Sequence, residues 1–229
     1  MLFLIPAPLS DHDLQTIPSC VKDAVRSCAL FFVEDERTAR RYLKKLWPEM
    51  VIDQYEWHRI DAKEPAQKAI LLEALKQGKH AGVLSEAGCP GIADPGAQLV
   101  AWAQEAGCPV KPLVGPSSIL LALMASGMNG QSFCFHGYLP VKEPERSTKI
   151  RDMESESGRR GMTQIFIETP YRNQAIIEAL LKACRPGTRL CIAVDITGSR
   201  ESIRTLPISA WKQAKPSLGK VPAIYLLMA

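Results

Sequence analysis

The segment Ser85-Glu86-Ala87-Gly88-Cys89-Pro90-Gly91-Ile92-Ala93-Asp94-Pro95-Gly96 carries three glycines and two prolines between Gly88 and Gly96. Glycine lets a ligand approach the main chain closely, and proline holds a loop in one shape. The segment follows a predicted strand and opens a predicted helix, which is where open α/β sheets bind ligands. Its spacing is neither G-x-G-x-x-G nor G-x-x-x-x-G-K-[ST], so the common dinucleotide and P-loop arrangements are excluded. Two other junctions have the same strand–loop–helix position. Gly115-Pro116-Ser117-Ser118 offers hydroxyls and amides that either cap a helix or hold the polar edge of a ligand. In Glu168-Thr169-Pro170-Tyr171-Arg172, Thr169 and Pro170 read as a cap and first turn. Tyr171 and Arg172 are then left to suit a nucleobase or a phosphate, or simply an exposed helix start.

Four carboxylates, Glu34, Asp35, Glu86 and Glu168, fall at predicted strand ends beside these loops. Each is a candidate general base, and each is equally able to cap a helix or pair with an arginine. Arg37 and Arg172 are candidates to hold a phosphate. Cys89 reads as a small packing residue, with a reactive thiol as the alternative if a helix N-terminus lowers its pKa.

Short apolar runs alternate with helix-length amphipathic stretches along the chain, which predicts α/β sheets with crossover helices. The predicted strands are Leu2–Ile5, Leu30–Val33, Val51–Tyr55, Ala81–Ser85, Val110–Val114, Ser132–His136, Gln164–Glu168, Leu190–Val194, Ser202–Leu206 and Ala223–Met228. From Ser202 the strands become consecutive, so the second sheet is expected to be mixed. In Glu36–Leu46, Ala39, Tyr42, Leu43 and Leu46 form an apolar stripe, and Arg37, Arg41 and Lys44 lie opposite as a solvated face. Asp94-Pro95 is expected to cap and start a helix that stops near Gly107. The stretch Ser118–Ser126 is apolar on every side and is expected to be buried. Lys142–Gly161 reads as an exposed helix followed by a mobile loop.

The 229 residues are enough to bury roughly 70–75% of the unfolded surface without a disulfide or metal staple. A hydrophobic content of 46% with 23% charged residues excludes a disordered chain. No apolar run reaches the ~20 residues of a membrane span, and Pro6 and Pro8 interrupt the N-terminal one. Seven cysteines without C-x-x-C spacing fit neither a disulfide framework nor a zinc site, pointing to a reduced, cytoplasmic protein. Two α/β domains are expected, 1–112 and 113–229. The first carries 13 Lys/Arg against 15 Asp/Glu and the second 15 against 9, so a polyanion would favour the second.

Glu34-Asp35-Glu36-Arg37-Thr38, Ser85–Gly96, Gly115–Ser118 with Ala125-Ser126-Gly127, Phe135-His136-Gly137-Tyr138-Leu139-Pro140, and Glu168–Arg172 occur in this order. Together they resemble the tetrapyrrole methylase superfamily, over nearly the whole chain. The branch they are most similar to methylates the ribose 2′-hydroxyl of a cytidine in small-subunit ribosomal RNA. The resemblance implies two α/β domains, S-adenosylmethionine held in a cleft between them, and a homodimer. By position it implies cofactor contacts at Leu9, Gly88, Cys89, Pro90, Gly91, Ile92, Ser117, Ser118 and Ile119. From the second domain it adds Phe166 and Ala193. Substrate contacts would fall to Arg37, Tyr171 and Arg172, and no metal is implied. The chain departs from that branch at Leu9-Ser10-Asp11 (usually containing Gly-Asn), at Cys89 (usually Thr), at Tyr171 (usually His), and at Asp195–Gly198. These departures keep two alternatives open: a methyltransferase for a tetrapyrrole-like or other small molecule, and a non-catalytic cofactor- or RNA-binding module.

Overall fold

The computed structural model describes residues 1–10, 13–60 and 65–229; Asp11 of the first loop lies outside them. The chain divides into two compact units, Met1–Ser117 and Ser118–Ala229. The division comes later than residue 112 because the loop after the fifth strand still packs on the first sheet. Leu113 N–H donates to Leu4 O at 3.1 Å, and Gly115 lies against Pro6.

In the first unit β1 (Leu2–Leu4), β2 (Cys28–Val33), β3 (Glu56–Arg59), β4 (His80–Leu84) and β5 (Val110–Pro112) form one sheet, ordered β3-β2-β4-β1-β5. Every neighbouring pair is parallel. The crossovers are α1 (Ser19–Ser27), α2 (Glu36–Leu46), α3 (Pro65–Lys76) and α4 (Ala97–Glu105). Strand side chains alternate between faces, and here both faces are covered. Phe31 and Val33 join Val21, Val25 and Leu43 on one side, while Leu30 and Phe32 join Leu71 and Leu99 on the other. The third strand begins at Glu56 rather than Val51, because Ile52–Gln54 makes a single 3-10 turn first. Trp57 is then stacked on Phe31 with ring centroids 5.0 Å apart.

The second unit holds α5 (Ser118–Ser126), β6 (Phe133–Tyr138), α6 (Glu145–Arg160), β7 (Thr163–Glu168), α7 (Asn173–Ala183), β8 (Arg189–Val194), β9 (Ser202–Pro207), α8 (Ile208–Ala214) and β10 (Ala223–Met228). Its sheet is mixed, in the order β6-β7-β10-β8-β9. Only β6 and β7 run parallel; the other pairs are antiparallel.

Three local expectations are corrected. α6 is one continuous helix where a mobile loop was expected. Ile150, Met153, Glu154 and Ser157 share its buried face at helical spacing, and Gly161 closes it at φ 62°. α5 is buried on one side only: Ala122, Leu123 and Ser126 face inward, but Leu120 and Met124 are 53% and 79% exposed. Asp94 does not cap α4, whose first residue is Ala97 and whose N-cap is Gly96 at φ 126°.

Candidate active site

Parallel strands deliver all their following loops to one edge of the sheet. In the first unit the neighbours β4, β1 and β5 place loops 85–96, 5–10 and 113–117 side by side. Ala7 and Gly88 exchange both main-chain hydrogen bonds, at 2.9 and 3.0 Å, which ties the first two loops together. The Cys89 sulfur lies 3.5 Å from Pro116 O, on the third loop. Burial pushes the Cys89 thiol up, so the reactive-thiol alternative is corrected: a desolvated thiol stays protonated and packs. Within this loop Gly88, Gly91 and Ala93 adopt positive φ, at 71°, 82° and 64°. A Cβ at Gly91 would meet nothing closer than 3.8 Å, so it is the backbone conformation that asks for glycine.

Gly115 is different. A Cβ there would stand 2.1 Å from the Pro6 Cβ. Gly115→Ala is therefore expected to push the first and third loops apart. Such overpacking should cost about 1–3 kcal/mol in urea unfolding. An unchanged midpoint would show that the two loops yield freely.

The four expected carboxylates prove to be unequal. Asp35 is the N-cap of α2 and accepts from Thr38 N at 2.8 Å. That bond, with the Thr38 side chain, holds its carboxyl below the usual range. Glu34 accepts from Glu86 N at 3.0 Å, joining the ends of β2 and β4. Glu168, in the second unit, accepts from Thr169 N at 2.7 Å and from Arg172 Nε at 2.8 Å. Its side chain is 2% exposed, so its charge is matched by Arg172. Among the described residues the Glu86 carboxylate takes no hydrogen bond and no ion pair. It is exposed on the loop after β4.

A fifth carboxylate, Asp94, belongs with these, although its Asp-Pro context reads locally as a helix cap. Burial pushes its carboxyl up to about 6, the charges of Glu34 and Glu86 add to the rise, and a Ser85 hydrogen bond opposes it. Because the folded state binds this proton more tightly than the unfolded chain, its stabilisation is complete below about pH 4. It is lost as pH rises through about 6. Asp94→Asn should then match the parent in urea unfolding at pH 4. At pH 8 it should exceed the parent by about 1 kcal/mol, a figure reduced for solvent screening. Parallel pH profiles for the two proteins would contradict this.

The remaining expected contacts are distributed as follows. Leu9 lies over Gly88, Pro90 and Ile92 continue the same loop, and Ile92 is 54% exposed. Ser117 ends the first unit. Ser118 and Ile119 form the first turn of α5. Phe166 and Ala193 lie mid-strand and fully buried, Phe166 stacked on Tyr225, so neither side chain offers surface to a ligand. Arg37 is exposed on α2. Tyr171 is 79% exposed beside the paired Arg172, and the Lys220 ammonium stands 5.1 Å from its ring centre. Lys220 carries no local sequence signal. It reaches Tyr171 because the neighbouring Gly219 and Val221 carbonyls accept from Asn173 Nδ2, at 3.1 and 2.7 Å.

A shallow, open pocket lies between the β1 loop, α2 and the start of the β4 loop. Ala7, Pro8 and Tyr42 supply apolar wall, and Arg41, Lys45 and Glu86 supply charge. Tyr42 is held in place by donating its hydroxyl to Pro6 O at 2.8 Å.

Comparison with known proteins places this geometry in context. Residues 1–210 match the family described as Tetrapyrrole (Corrin/Porphyrin) Methylases. A Vibrio cholerae protein named Ribosomal RNA small subunit methyltransferase I is 30% identical over 91% of this chain and 69% of its own length. A Mesorhizobium japonicum protein of the same name is 31% identical, over 89% of this chain and 66% of its own length. The chain thus spans about two thirds of these relatives, 69% and 66%. Among solved structures, the methyltransferase CobJ superposes with a TM-score of 0.62 at 17% identity, over 99% of this chain and 93% of that one. Uroporphyrin-III C-methyltransferase from Thermus thermophilus, complexed with S-adenyl homocysteine, gives 0.58 at 18%, over 99% and 96%. At such identities the solved structures establish a shared fold.

Proposed function

Because the chain belongs to the tetrapyrrole (corrin/porphyrin) methylase family, we propose that it is an S-adenosylmethionine-dependent methyltransferase acting on small-subunit ribosomal RNA, at a cytidine ribose 2′-hydroxyl. The observation that carries the reading is the joining of three Gly/Pro-bearing loops at the carboxyl edge of the first sheet, in a chain similar to RNA methyltransferases over 91% of its length. The loops suit the cofactor. Gly91 carries no side chain and holds a positive φ that exposes its main chain to a ligand, and Ile92 presents apolar surface for an adenosyl group. When bound, the cofactor supplies an electrophilic methyl group on a sulfonium.

The protein's own part is position and a proton. The Ala7–Gly88 pairing and the Gly115–Pro6 contact hold the loops in one arrangement, which lowers the entropic cost of aligning two reactants. A ribose hydroxyl must lose its proton on attack. Glu86 is the base in this reading, since Asp35 is spent on a helix cap, Glu34 on the Glu86 amide and Glu168 on Arg172. The proton passes from the 2′-oxygen to the Glu86 carboxylate and from there to water. Tyr171 and Lys220 offer a ring and a cation for RNA on the second unit.

Transfer of labelled methyl groups from S-adenosylmethionine to undermethylated small-subunit RNA, followed by mass spectrometry of the nucleosides, tests this. A 2′-O-methylcytidine product is expected. Methylation of a small planar acceptor with no RNA product would overturn the substrate, and failure to bind the cofactor in calorimetry would overturn the activity. The reading also includes a cytoplasmic homodimer, with the exposed Leu120 and Met124 of α5 supporting a partner there. A monomer mass by light scattering at micromolar concentration would remove the dimer.

A further inference from the structure

The pocket beside α2 is separate from the glycine-bearing turn around Gly91, and it is built with a polarity of its own. One wall is α2, which contributes Arg41 and Lys45, one helical turn apart, with Thr38 and Tyr42. The other walls are Ala7 and Pro8 after β1, and Ser85 and Glu86 after β4. Cations therefore come from one side and a carboxylate from another, with apolar surface between them.

The arginines of α2 are not used alike. Arg40 is ion-paired with Glu36 and lies 5.1 Å from the Trp57 ring centre, which commits it to the fold. Arg41 is exposed, lines the pocket and has no carboxylate partner among the described residues. A guanidinium left unpaired at the mouth of a half-apolar pocket suits a phosphate, which it can engage through two parallel N–H bonds.

We propose that this pocket takes the acceptor nucleotide of the RNA, with its phosphate on Arg41 and Lys45, its sugar towards Glu86, and Pro8 and Tyr42 against its apolar faces. The inference rests on the RNA-methylating reading above and deepens it. It makes Arg41 a substrate-binding residue, where the amphipathic pattern of α2 had placed it on a solvated face.

Arg41→Gln in the full chain tests the assignment, with Arg41→Lys as the charge-conserving control. For Arg41→Gln the KM for small-subunit RNA should rise about tenfold, as expected for one charge-assisted phosphate contact, with kcat within about twofold. The slope of log affinity against log salt should fall by about 0.7. Arg41→Lys should recover most of both, and S-adenosylhomocysteine affinity should not change in either. Unchanged KM and salt slope in Arg41→Gln, with the parent active on RNA, would overturn the pocket assignment alone. A parent inactive on RNA would instead count against the functional reading. The pocket is then judged by cytidine 5′-monophosphate titrated into the parent and Arg41→Gln: weaker binding to the variant supports it, and equal binding overturns it.

Discussion

Glu86→Gln is expected to lower kcat for RNA methylation by roughly 100- to 10,000-fold, the range for removing a general base. S-adenosylhomocysteine affinity should stay within about twofold, because the amide keeps the size of the acid and, among the described residues, the carboxylate takes no hydrogen bond and no ion pair. The loop should also keep its shape: its tie to β2 runs through the Glu86 main-chain N–H, not its side chain. Glu168→Gln makes the contrast. It removes the counter-charge of Arg172 inside a nearly closed site and should act first on stability, by about 2–3 kcal/mol. If Glu86→Gln keeps full kcat, the proton goes elsewhere, and Asp94 becomes the next carboxylate to replace.

The second large effect is structural. Asn173→Ala should destabilise the second unit by about 3 kcal/mol in urea unfolding. Asn173 is 1% exposed and satisfies three partners at once. Its amide donates to Gly219 O and Val221 O, and its carbonyl accepts from the Tyr225 hydroxyl at 2.9 Å. Truncation strands a buried phenol and a buried carbonyl, and each unsatisfied group costs about 1–3 kcal/mol. Tyr225→Phe removes one donor without stranding the carbonyls, so about 1 kcal/mol is expected. Since Lys220 sits between the two anchored carbonyls, Asn173→Ala should also weaken RNA binding while leaving cofactor affinity intact. A cost below about 1 kcal/mol would show that water replaces the asparagine without penalty.

Much of the architecture is written locally. Runs such as Leu30–Val33 and Leu190–Val194 declare strands, and the Gly/Pro/Ser loops declare the functional edge, because period and turn chemistry act over a few residues. The local rules misplace elements where long-range packing intervenes. Ile52–Gln54 becomes a turn so that Trp57 can stack on Phe31. α6 runs through Gly158 because its inward face, from Ile150 to Ser157, is buried. α5 is apolar all round yet covered on one side only within its unit.

The chain alone determined two α/β units, the ordered loops and the set of carboxylates and cations from which a site is drawn. Tertiary structure decided which of them remain free. Asp35 and Glu168 are spent on near neighbours, but Glu34 finds the Glu86 amide 52 residues away. Asp94 is pushed up by burial beside Glu34 and Glu86, and Arg40 is withdrawn from Arg41's company by Trp57. Burial and pairing depend on the order β3-β2-β4-β1-β5, which sets strands side by side that are far apart along the chain. For Glu34 and Asp94 the neighbours are fixed by that adjacency, and no local spacing encodes them.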